Sequence, residues 1–293
     1  MRARGIAAAA AGLVAVFSSG ACGSSPGSPG QARKPAGITA PAPVSKDATT
    51  GLGNNCSAGY VTFTFDGGPR LPDHGGDTPL VISTLLKLGL KAVFFVIGKA
   101  VVAEPGLIRE EARDGFSVQN HTWDHHDFTG RSAGTKPLTL AQVRTELSRG
   151  ADAIVAAGAP RPTLYRPPFD DVTTADNAVA ESLGERIVLS YGDPKSKIID
   201  SEDWKHIPAQ QIAYDVIHGY WNDQGNWVPG LRAGSIIGYH DGIGGNVPVN
   251  AAASLQPIVD FMNAHHLCST TSVPNPADGG VFLPNGGFPK RAK

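Results

Sequence analysis

Cysteine is scarce in this chain, with three residues in 293. That is too few for a disulfide-dense scaffold, and the three do not stand at zinc-finger spacing. Charge is scarce too: Asp, Glu, Lys and Arg make up 17%, against about 25% in typical globular domains. The formal net charge of −1 gives no support to a nucleic-acid partner, because such binders carry a basic patch. The apolar run Ile6 to Phe17 falls short of the roughly 20 residues that a spanning helix needs. What the chain has in surplus is Gly (36) and Pro (23), which points to many turns and loops. Its 41% hydrophobic content and its length permit a sizeable core.

The two ends differ from the middle. Arg2 and Arg4, then Ile6 to Phe17, then small residues, read as an export signal over 1–21. Ser19-Gly20-Ala21-Cys22 resembles a bacterial lipoprotein cleavage site, with Cys22 as the lipidated residue; an ordinary cut after Ala21 is the alternative. Either places the protein outside the cytoplasm, and membrane association is expected only through lipid on Cys22. Residues 22–58 have no helical or strand period and read as a flexible tether, and 269–293 as a Gly/Pro-rich tail. Cys56 precedes the first strand pattern and Cys268 follows the last helical one. In an exported protein that arrangement predicts a Cys56–Cys268 bridge; two free buried thiols are the other reading.

Between these ends, 59–268 alternates strands with helices. Strand patterns fall at 60–65, 92–97, 116–119, 163–166, 187–191 and 235–239. Helical patterns fall at 77–88, 104–114, 139–157, 174–183, 208–219 and 250–265. Such alternation implies parallel pairing and an α/β architecture. The polar residues Asp66, His121, Arg166 and His240 each follow a strand. In an α/β barrel the carboxyl ends of the strands form the active face.

Four segments carry possible chemistry. Thr64-Phe65-Asp66-Gly67-Gly68-Pro69 holds a carboxylate before a tight turn. His121-Thr122-Trp123-Asp124-His125 places two imidazoles four apart, a spacing that a helical turn would put on one face for a metal ion. Arg166-Pro167-Pro168-Phe169 aims an arginine from a stiff loop. Asp200-Ser201-Glu202-Asp203-Trp204 and Tyr239-His240-Asp241 offer an Asp-His pair that would raise the imidazole pKa. Read singly, each is as readily a turn, a surface charge or core packing.

In this order the segments resemble the polysaccharide deacetylase family, the NodB-homology carbohydrate esterases that include chitin and chitooligosaccharide deacetylases. The resemblance covers about Gly59 to His266 and implies a distorted (β/α) barrel that carries a metal-assisted hydrolase. It implies Asp66 as catalytic base and His121 and His125 as metal ligands. Arg166 would orient the base, and the backbone near Phe169 would be an oxyanion donor. His240 would be the general acid, tuned by Asp203. The implied cofactor is a divalent ion, zinc or cobalt, and the implied partner an acetylated glycan bound by a monomer. Trp123, Phe169, Trp204 and Tyr239 are candidates for stacking against sugar, with core packing as the alternative.

One departure matters most. The family's third metal ligand is a second aspartate directly after the base, and here that position is Gly67. Water or a nearby carboxylate such as Asp124 would complete the site, or Asp66 would swing onto the metal at the cost of the base. The expected function is removal of N-acetyl groups from an N-acetylglucosamine glycan. An O-acetyl esterase and a non-catalytic glycan binder are the alternatives. Gly238, where the family usually has Leu, is expected to affect packing alone.

The charges are unevenly placed. Gly59 to Cys268 holds 17 basic and 24 acidic residues, so the folded body is acidic and the basic surplus lies in the ends.

Overall fold

Gly59–Asp66 (β1) is the central strand of the computed structural model, which describes residues 55–274. Cys22, the export signal, nearly all of the tether and most of the tail lie outside the described residues. After β1 come α1 (Thr78–Lys87), β2 (Ala92–Val96), α2 (Gly98–Ala103), α3 (Pro105–Arg113), β3 (Ser117–Asn120), α4 (Leu140–Ala156) and β4 (Leu164–Tyr165). Then follow α5 (Thr174–Ser182), β5 (Arg186–Ile187), β6 (Ile198–Asp200), α6 (Ala209–His218) and the β7 (Gly219–Trp221) and β8 (Trp227–Pro229) pair. The last elements are β9 (Ile236–His240), α7 (Val247–Ala264) and β10 (Leu267–Ser269).

The main sheet runs β5-β4-β3-β2-β1-β9-β6, with every pairing parallel. The path ends at β5 and β6 rather than closing, so the barrel is open, the distorted (β/α) type expected. Period-two alternation sorts each strand between two cores. Val61, Phe63 and Phe65 of β1, with Phe94, Ile237 and Tyr239, pack outward against α1, α6 and α7. Val93, Phe95, Leu164, Val188, Ile198 and Ile236 fill the inner face. Thr62, Thr64 and Asp66 share that inner parity, which turns Asp66 toward the open end of the barrel.

Helix limits follow local chemistry. The Asp77 carboxylate accepts the Leu80 N–H at the start of α1, and Thr139 and Gln142 form a capping box on α4. β10 pairs with the first residues of β1, and a disulfide joins Cys56 to Cys268, Cα atoms 5.3 Å apart.

Several expectations change. The single helix at 104–114 is preceded by a separate α2, and the break falls at Glu104, where Pro105 begins α3. The strand at 187–191 shortens to β5, because the amides of Ser190 and Tyr191 bond the Asp170 carboxylate instead of a neighbouring strand. His121–His125 is not helical. Thr122 (φ 67°) and His125 (φ 62°) take left-handed conformations that bend the loop and fold the two imidazoles toward each other.

Candidate active site

Five parallel strands deliver the polar residues to one end of the barrel. Asp66 ends β1, His121 follows β3, Arg166 follows β4, Asp200 ends β6 and His240 ends β9. There a cleft of about 420 Å³ is lined by Asp66, Gly67, His121, His125, Phe169 and His240, among others.

Arg166 is fully buried and spends its whole guanidinium on the site. Nη1 donates to Asp66 Oδ1 (2.6 Å) and to Thr64 Oγ1 (2.9 Å). Nε donates to the Val188 carbonyl and Nη2 to that of Leu189. The guanidinium carbon also lies 4.3 Å from the Phe95 ring centre. A planar fork held this way fixes one carboxylate oxygen of Asp66. Among the described residues, Asp66 Oδ2 takes no hydrogen bond, so it is the oxygen left for chemistry in the cleft.

His121 Nδ1 lies 2.8 Å from the Arg166 carbonyl. A carbonyl only accepts, so Nδ1 carries the proton and Nε2 keeps its lone pair. The His125 ring is 4.8 Å from that of His121 and 4.9 Å from that of Phe169. Burial pulls both imidazoles down to about 3, so each is neutral at working pH. Two neutral imidazole nitrogens suit zinc, cobalt or a similar divalent ion. The third ligand is missing. Gly67 has no side chain, and among the described residues no set of three His, Cys, Asp or Glu is arranged to hold an ion. Asp124 does not fill the gap: its carboxylate pairs with Lys99 at 2.9 Å, away from the cleft. The residues therefore fit a two-imidazole site completed by water, not a closed three-ligand one.

His240 is held by Asp203. Burial alone would lower its pKa, but the charge of Asp203 and its hydrogen bond push it up to about 9. Its imidazole is thus protonated at neutral pH, the opposite of His121 and His125 in the same cleft.

The four stacking candidates divide. Phe169 and Trp204 line the cleft. Tyr239 does not: it is fully buried and its ring stacks on Phe63 and Phe65. Being next to inward-facing His240 on β9, it must face outward. Trp123 is not in the cleft wall either; its ring packs beneath the Arg149 guanidinium, 3.9 Å away. Phe169 sits at φ 60°, and among the described residues its N–H has no acceptor.

Three residues with no predicted role join the site. Asp170 lines the cleft and takes hydrogen bonds from the Ser190 N–H and hydroxyl and the Tyr191 N–H through Oδ2. Asp200 accepts from Trp204 Nε1 at 3.2 Å, and burial pushes its pKa up to about 6. Asp241 accepts from the Gly68 N–H and the Thr78 hydroxyl, and so holds the turn after Asp66. Asp200 and Asp241 stood inside quoted segments and Asp170 directly after one, but sequence alone does not say which carboxylate of such a run turns inward. Gly238 is indeed a packing residue: a Cβ there would meet the Ser190 Cβ at 2.8 Å.

Residues 53–188 match the polysaccharide deacetylase family model. This part of the chain belongs to the polysaccharide deacetylase family. The bifunctional xylanase/xylan deacetylase of Cellvibrio japonicus is 31% identical over 224 residues, 76% of this chain and 28% of that protein. The peptidoglycan-N-acetylglucosamine deacetylase of Listeria monocytogenes is 31% identical over 159 residues, 54% of this chain and 30% of that protein. The chain thus spans less than a third of the length of these two relatives. The family 4 carbohydrate esterase of Streptomyces lividans, solved with acetate, has a TM-score of 0.58 and 28% identity, covering 78% of this chain and 98% of that one.

Proposed function

We propose that this polysaccharide deacetylase domain hydrolyses the N-acetyl group of an N-acetylglucosamine-containing glycan. The observation that carries the reading is the opposite protonation of groups around one cleft: a carboxylate with one free oxygen, two neutral imidazoles and one imidazolium. Amide hydrolysis needs that division, because one group must take a proton while another gives one.

Asp66 Oδ2 takes a proton from the attacking water as the water oxygen bonds to the acetyl carbon. Arg166 holds the other oxygen so that the base keeps its orientation. The Phe169 N–H donates to the oxyanion that forms, a contribution of about 2.7–4 kcal/mol where such donors have been removed. His240 gives its proton to the departing nitrogen as the C–N bond breaks, leaving acetate and an amine. A divalent ion held by His121 and His125 would supply polarisation of the acetyl carbonyl. The acidic body suits a glycan whose product is cationic. Phe169 and Trp204 offer faces to the sugar. The protein is read as an exported monomer, with Cys22 as its lipid anchor.

Gly67 favours a second reading. A site with two protein ligands binds its ion less tightly, and an ester is an easier substrate than an amide, so an O-acetyl polysaccharide is the alternative. Acetate released from acetylated chitooligosaccharides and from acetylated xylan, measured side by side, separates the two. Release from xylan alone would replace the first reading with the second. Release from neither would leave a non-catalytic glycan binder.

A further inference from the structure

Two of the four tryptophans stand in the open on one small feature. β7 and β8 pair antiparallel with Trp221 opposite Trp227. Trp221 is 67% exposed and Trp227 43%. Their rings are 5.6 Å apart in a T-shaped pair, which makes one joint aromatic surface of the two. Large apolar surface of this kind, left in water on an exported domain, marks a contact surface.

The hairpin is rigid. Its alternate residues Tyr220 and Val228 are buried. Asn222 closes the turn, accepting from the Gln224 and Asn226 N–H groups and donating to the Gly192 carbonyl. It is also continuous with the cleft wall. The Asp200 N–H donates to the Tyr220 hydroxyl, and the same Asp200 accepts from cleft-lining Trp204. Lys205, directly after Trp204, pairs with Asp223 at the turn at 2.7 Å.

The surroundings narrow the ligand class. Residues 219–229 contain no Lys or Arg, and their single carboxylate, Asp223, is already paired. That disfavours anionic lipid and nucleic acid, both of which call for basic residues. What the turn does expose beside the indoles are the amides of Gln224 and Asn226. Amides bond hydroxyls in either direction, and the C–H face of a pyranose ring fits the negative face of an indole.

We propose that Trp221 and Trp227 form a stacking platform for sugar rings of a polysaccharide, outside the cleft, and that the platform retains the polymer. The proposal rests on reading the cleft as a glycan site, but it has its own readout. The full chain should co-sediment with at least one of insoluble chitin, peptidoglycan and insoluble xylan. Trp221→Ala with Trp227→Ala should weaken that binding about tenfold in a variant still folded at the assay temperature by circular dichroism, with some loss of thermal stability because more than half of Trp227 is covered. Trp221→Phe with Trp227→Phe should retain most of the binding. Wild type that sediments with a polymer but releases no acetate from it would sink the catalytic reading alone and leave the platform standing. The platform is overturned if the double alanine variant sediments like the wild type or if no polymer retains the wild type. It is equally overturned if the alanine pair abolishes self-association while leaving polymer binding untouched.

Discussion

Asp203 grips His240 at two points: Oδ1 lies 2.7 Å from the ring Nδ1, and Oδ2 accepts the His240 backbone N–H, also at 2.7 Å. The carboxylate therefore sets both the orientation of the ring and its charge. Asp203 is fully buried, so its charge acts through little solvent.

The first prediction concerns this pair. With His240 pushed up to about 9, the acid is protonated across neutral pH and activity falls only as pH rises through about 9. Asp203→Asn removes the raising charge and leaves the burial. The basic limb of the kcat profile should then move to clearly lower pH, with the charges of Asp66 and Asp200 still opposing the effect of burial. Stability follows the same sign. The raised folded value contributes stability that is complete below about 6.5 and is lost as pH rises through about 9. A limb that stays near 9 in Asp203→Asn would assign it to another group.

Arg166 carries the second. Arg166→Met leaves Asp66 as a buried, unpaired charge, and such losses cost about 3–5 kcal/mol. Urea denaturation measures it. Adding Asp66→Asn to Arg166→Met should recover part of the loss, since the stranded charge is gone. A cost below about 1 kcal/mol would mean that the pair is not the keystone described.

A third prediction follows from Gly67. Its φ is 91°, and a Cβ there would lie 3.4 Å from the Gly242 Cα. Gly67→Asp fits without collision but in a left-handed backbone, at a stability cost of about 1–2 kcal/mol. In exchange it supplies the missing carboxylate, and zinc affinity by calorimetry should rise at least tenfold. Unchanged affinity would show that another group already completes the site.

Glu111 gives a fourth. It is fully buried in α3 with both carboxyl oxygens lacking a partner among the described residues. Burial raises its pKa well above the usual range, with Asp241 adding to the effect. A group whose folded value is raised loses stability as pH climbs above its unfolded value, so at neutral pH this residue costs the fold free energy. Glu111→Leu should stabilise the protein by about 1–3 kcal/mol, and more at pH 8 than at pH 5. Destabilisation would reveal a buried partner for the carboxylate.

Much of the site was legible because its residues sit at strand ends, where a period-two pattern stops at a polar residue. Asp66, Arg166 and His240 are of this kind, and their order along the chain carried the family resemblance. The same period, followed one residue back from His240, would have placed Tyr239 in the core. The loop bringing His121 to His125 was read with the right partners and the wrong backbone, because spacing of four is also reached through two left-handed residues. The strands β6, β7, β8 and β10 are three residues long, too short to show a period. Asp170 and Asp200 escaped notice because a run of acids does not reveal which side chain turns inward. The exposed Trp221–Trp227 pair left no trace at all, since pairing across a hairpin is a property of register.

The most direct measurement is acetate release from N-acetylglucosamine oligomers by the wild type and Asp66→Asn, each with zinc or cobalt added and with chelator. The account predicts release by the wild type that depends on added metal, and a loss of about 10²-fold or more in Asp66→Asn. Release that survives both chelator and Asp66→Asn would contradict it.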